Sequence, residues 1–129
     1  MKKNDKGKII PNGVSLEKHE NETVVFFTNL GYDIELIPPS NSPKTRTPDF
    51  LMDGVAWEMK CPQGRSKTSL ENIIKKASRQ SENIIIDLSH SKMEEKAALK
   101  EIERRFTQIS ACRKLKIITK KHELLEFKK

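Results

Sequence analysis

Apolar residues along this chain recur either every three or four positions or in short alternating runs, and the two periods mark out helices and strands in turn. From Leu16 to Leu30 a step of about 100° per residue collects Thr23, Val24, Phe27 and Leu30 on one stripe, with Ser15 as cap and Gly31 as stop. Glu20 falls inside that stripe, which aims a carboxylate inward and calls for a cation, a metal or a wet cleft opposite it. Glu17, at the flank, is the weaker candidate for that position. Tyr32 to Ile37 alternates as a strand and is ended by Pro38-Pro39. Phe50-Leu51-Met52 and Val55 to Cys61 flank Asp53-Gly54, a dipeptide that favours a two-residue hairpin turn.

After Ser66 the positions Leu70, Ile73, Ile74 and Ala77 repeat at three and four, so a second helix is expected, with Lys75, Lys76 and Arg79 outside. Ile84 to Leu88 is a continuous β-branched run suited to a central strand covered on both faces. A longer charged helix from Lys92 to about Ala111 carries Ala98, Leu99, Ile102, Phe106 and Ile109 on its apolar side. Leu115 to Thr119 and Glu123 to Phe127 close the chain as two strands around a turn at Lys120-Lys121-His122. The expected order is α-β-β-β-α-β-α-β-β, an α/β sandwich around a mixed sheet.

At 129 residues the chain is about one domain long. Residues 1–14, Lys-rich with Asn12-Gly13, read as a basic N-terminal arm, and 15–129 as a single domain. Lys and Arg number 25 against 18 Asp and Glu, a formal charge of +7, which makes nucleic acid the first candidate partner. No apolar run approaches the roughly 20 residues of a membrane span, so no membrane association is expected. The two cysteines, Cys61 and Cys112, are too few for a disulfide framework and read as reduced core thiols. Seven aromatic residues, mostly on core faces, leave no evident platform for stacking single-stranded bases.

The hairpin concentrates the chemistry. If Asp53-Gly54 is a two-residue loop, Met52 opposes Val55, Leu51 opposes Ala56, Phe50 opposes Trp57, and Asp49 lies across from Glu58. Alternation then puts Glu58 and Lys60 on Asp49's face, and Trp57, Met59 and Cys61 on the other. Two opposed carboxylates repel unless a cation lies between them, and hard oxygen donors without His or Cys suit Mg²⁺ or Mn²⁺ rather than zinc. A plain surface ion network of Asp49, Glu58 and Lys60 is the alternative.

Pro48-Asp49, eight intervening residues, then Glu58-Met59-Lys60, preceded by a helix bearing Glu20, resembles the PD-(D/E)XK nuclease superfamily. The resemblance implies a restriction-endonuclease-like three-layer sandwich in which Asp49 and Glu58 ligate a divalent ion, Lys60 positions or activates water, and Glu20 completes the site. Thr47 to Gly54 running to Trp57-Glu58-Met59-Lys60, followed by a Gly-containing loop and a Lys-rich helix, is similar to the CdiA C-terminal tRNase family of contact-dependent growth-inhibition toxins. That likeness implies delivery as part of a secreted toxin, tRNA cleavage in the recipient cytoplasm, and a cognate immunity protein. The sequence departs from that arrangement in starting with Met1.

Metal-assisted phosphodiester cleavage is the reaction expected, with the Met59 carbonyl as a further ligand and Glu20 holding a second ion. Lys44, Arg46, Arg65, Lys67, Lys75, Lys76 and Arg79 are the candidate phosphate contacts. A metal-free route through an RNA 2′-hydroxyl, with His19 or a Lys as proton carrier, is a variant of the same reading. His90 reads as solvent-facing or satisfied and His122 as a turn residue. The alternatives are a DNA endonuclease or junction resolvase of the same superfamily, and a non-catalytic nucleic-acid-binding module.

Overall fold

The computed structural model of the chain describes residues 6–39 and 47–129. Its order is β1 (Ile9–Ile10), α1 (Lys18–Asn29), β2 (Ile34–Leu36), β3 (Phe50–Met52), β4 (Val55–Lys60), α2 (Lys67–Gln80), β5 (Asn83–Asp87), α3 (Glu95–Gln108), β6 (Lys114–Ile118) and β7 (Leu124–Lys128). The strands hydrogen-bond in chain order as one seven-stranded mixed sheet, so the fold is of the expected α/β class. One strand, β1, was not expected. It pairs parallel to β2 through Ile9↔Ile34 and Ile10↔Glu35, so the N-terminal arm carries a piece of sheet.

Two compact units divide the chain, Met1–Trp57 and Glu58–Lys129. In the first, Val24, Phe27, Ile34, Leu36, Phe50 and Met52 are buried, and the Phe27 ring meets Tyr32 edge-on at 5.9 Å. Gly7 donates its N–H to the Thr28 carbonyl at 2.8 Å, and a Cβ at this residue would collide with the Tyr32 carbonyl, so glycine permits the approach. Helix α1 begins at Lys18 rather than Leu16. Glu17, not Ser15, is the cap: its side chain accepts the Glu20 N–H of the first turn while the Glu20 carboxylate accepts the Glu17 N–H at 3.0 Å, a reciprocal capping box.

In the second unit β5 and β6 run parallel, joined by α3, while β7 returns antiparallel on β6. Leu70, Ile74, Ala77, Ile84, Ile86, Leu88, Ala98, Ile102, Phe106, Leu115 and Ile117 form one hydrophobic cluster between these strands and helices α2 and α3. Ser66 caps α2 by accepting the Ser69 N–H at 3.1 Å. Helix α3 is shorter than the span 92–111. At its start the Ser91 hydroxyl accepts the Met93 N–H, and at its end Ile109 is extended and its carbonyl takes the Cys112 N–H at 3.1 Å. His122 has φ 62° in the turn between β6 and β7, as its position in the sequence suggested.

Candidate active site

The hairpin forms in the register its turn chemistry dictates. Asp53 and Gly54 have φ of 49° and 83°, the two positive values of a type I′ turn, and the ladder pairs Met52 with Val55, Leu51 with Ala56 and Phe50 with Trp57. The turn is tied down further, since the Asp53 carboxylate accepts the Asp33 N–H at 2.8 Å and the Asp53 N–H reaches the Asp33 carbonyl at 2.9 Å. Asp49 continues the pairing by one bond, donating its N–H to the Trp57 carbonyl at 3.0 Å. Its own carbonyl accepts the Ile37 N–H at 3.0 Å, so the main chain of this half-buried acid is held from both sides.

The remainder of β4 lies in the second unit, where Glu58, Met59 and Lys60 pair in parallel with Ile84, Ile85 and Ile86. Successive strand residues point to opposite faces, so Glu58 and Lys60 emerge together, and the Lys60 ammonium stands 3.1 Å from Glu58 Oε2. The Glu58 side chain is only 5% exposed and that of Lys60 32%. A carboxylate so deeply buried is tolerated because the ammonium offsets its lost hydration, while the half-wet lysine stem reaches solvent. The alternation rule identified this pair from sequence alone.

Glu20 is differently placed. It is half-buried at the first turn of α1, outside the buried row of Thr23, Val24, Phe27 and Thr28, with its carboxylate on the Glu17 amide. The inward carboxylate expected from the stripe is instead turned to its own helix end, where it closes a capping box with Glu17. His19 Nε2 lies 3.4 Å from Glu17 Oε2, and His90 and His122 are exposed. Among the described residues no group of three or more His, Cys, Asp or Glu side chains is gathered as a metal cage. Asp49 and Glu58 are both hard oxygen donors, a type that suits Mg²⁺ or Mn²⁺ better than zinc.

Of the expected phosphate contacts, Lys44 and Arg46 lie outside the described residues. Arg65 is exposed in the loop before α2, and Lys67 is the first residue of that helix. Lys76 and Arg79 are exposed on α2, whereas Lys75 is ion-paired to Glu71 at 2.9 Å. That pairing was legible as a Glu followed four residues later by a Lys, a spacing that brings the two onto one helical face. The cations of α3 were read only as a solvated side, although Lys96, Lys100 and Arg104 are also four residues apart.

Residues 46–124 match the family described as "Contact-dependent growth inhibition CdiA C-terminal domain". Among solved structures, a chain of the "CdiA-CT/CdiI toxin and immunity complex from Burkholderia pseudomallei" shares the fold with a TM-score of 0.64. The identity is 24%, over 91% of this chain and 92% of that chain. No curated protein sequence matches the chain. No helix among the described residues is long and apolar enough to cross a membrane.

Proposed function

Because this chain belongs to the contact-dependent growth inhibition CdiA C-terminal domain family, we propose that it is a toxin domain acting as a divalent-metal-dependent nuclease of the PD-(D/E)XK type, with tRNA as its preferred substrate. The observation that carries the reading is the buried Glu58 carboxylate, ion-paired at 3.1 Å to the lysine two residues on, in a strand that leaves an Asp-Gly turn whose other arm begins at Asp49. A strand does not bury an acid beside a half-exposed lysine for stability, since an apolar residue of similar volume serves the core as well or better.

In this reading Asp49, Glu58 and the Met59 carbonyl would hold the ion, and Glu20 would hold a second one. When bound, such an ion polarises a phosphoryl oxygen and makes water a better nucleophile at neutral pH. Lys60 orients the attacking water and offsets the negative charge that develops on the phosphoryl group. The main chain of Asp49 is held because its amide bonds Trp57 on β4 and its carbonyl bonds Ile37 just past β2. Lys44, Arg46, Arg65, Lys67, Lys75, Lys76 and Arg79 supply phosphate contacts that carry no base readout. The site of action is the cytoplasm of a recipient cell, reached as part of a secreted toxin. A cognate immunity protein is the expected partner, as in the complex of the structural neighbour.

The test is end-mapping of total RNA after brief expression of the wild-type chain, Asp49→Ala, Glu58→Gln and Lys60→Ala, with purified tRNA and plasmid digested side by side. Discrete tRNA fragments with the wild type, reduced at least ~100-fold in each variant and abolished by EDTA, are expected. Undiminished cleavage by Glu58→Gln or Lys60→Ala would overturn the mechanism. Nicking of plasmid with tRNA left intact would assign the same site to DNA.

A further inference from the structure

Helices α2 and α3 together carry eight Lys and Arg against four Glu, so more than half of the chain's charge of +7 is concentrated on them. The acids are largely spoken for. Glu71 binds Lys75 at 2.9 Å and Arg105 at 2.7 Å, and Glu101 binds Arg105 at 2.8 Å and Arg104 at 3.7 Å. Beside this network runs a groove of about 520 Å³, lined by Glu94, Lys96, Ala97, Lys100, Glu101 and Arg104. Of its two carboxylates, Glu101 is buried and paired with both arginines and Glu94 is exposed at the start of α3, whereas Lys96 and Lys100 are exposed and have no acidic partner among the described residues.

We propose that this groove is a second polyanion-binding surface, on which Lys96, Lys100 and Arg104 track the phosphate backbone of a nucleic acid. Four-residue spacing spreads the three cations over about 12 Å of helix, and a duplex presents a negative charge about every 1.7 Å of its axis, so the row meets several phosphates at once. The choice of nucleic acid over an acidic protein comes from the lining. Ala97 is its one apolar side chain, while stable protein interfaces have an apolar or aromatic centre and nucleic-acid faces are cationic and wet. The inference rests on the nuclease reading for the identity of the polyanion, but not for the location of the groove.

Binding of fluorescein-labelled tRNA, followed by anisotropy in EDTA from 50 to 300 mM KCl, tests it on Asp49→Ala protein with and without Lys96→Gln/Lys100→Gln/Arg104→Gln. The triple substitution is expected to weaken binding at least tenfold at 100 mM KCl and to lower the slope of log K against log salt by about 2 to 3. Should the triple variant unfold, Lys100→Gln alone lowers the slope by about 1. Identical affinity and slope in variant and parent overturn the proposal and leave the nuclease reading standing, whereas a parent that binds no tRNA overturns both. Loss of poly-glutamate binding with tRNA binding unchanged also overturns it, and gives the groove to an acidic protein.

Discussion

Cys61 and Cys112 are equivalent in composition and opposite in environment. Cys112 is buried, its Sγ 3.7 Å from the Lys114 carbonyl, and burial pushes its thiol up to about 11, with the Lys129 ammonium only partly opposing the shift. Cys61, just past β4, is half-buried, which departs from the expectation of two core thiols because strand alternation ends with the ladder at Lys60. Titration with a thiol-specific disulfide reagent at pH 8 should therefore show one fast equivalent, lost in Cys61→Ser, and a second released only by denaturant. Two equally fast equivalents would contradict the burial of Cys112. Glu20 teaches the same lesson at one position. Periodicity placed it on the apolar stripe, but its carboxylate is taken by the Glu17 amide at the helix start.

Between elements, Arg105 forks from Glu101 on its own helix to Glu71 on α2 at 2.8 and 2.7 Å. The guanidinium suits this role because its planar donors satisfy two carboxylates at once. Arg105→Ala leaves the buried Glu101 carboxylate with the more distant Arg104 alone, and is expected to destabilise the protein by about 3 kcal/mol in urea unfolding. The hydrogen bond from Lys75, with the charges of Arg105, Lys75 and Arg104, holds the Glu71 carboxyl below its ordinary value of 4.5. A depressed carboxylate binds fewer protons folded than unfolded, so its contribution is complete above pH 4.5 and fades as the pH falls through the lowered value. Comparing urea midpoints of wild type and Glu71→Gln at pH 7 and pH 3 should show the difference shrinking in acid. A gap that widens there would reverse the sign of this argument. The helices and strands themselves were readable to within a few residues, because caps, turn dipeptides and the 3.6 and 2.0 periods are short-range signals. β1 was not, since two isoleucines after a Lys-rich arm acquire strand geometry only by pairing with β2.

For the molecule as a whole, the excess of seven positive charges makes any polyanion complex strongly salt-dependent. A face that engages four phosphates should lose about a hundredfold in tRNA affinity between 50 and 200 mM KCl, measurable by the same anisotropy titration, and a flat profile would exclude backbone contacts as the source of binding. The charge, the α/β class, the Asp53-Gly54 register and the Glu58–Lys60 face all follow from residues within a few positions of one another, where backbone sterics and side-chain alternation leave little choice. Tertiary structure alone decided how charges are shared between elements. Glu71 and Arg105 are 34 residues apart and meet only because α2 and α3 pack over one hydrophobic cluster. That meeting neutralises Glu71 and Glu101 and leaves Lys96 and Lys100 among the exposed cations of the helices, a distinction no local pattern contains because it depends on which partner each long side chain finds in space.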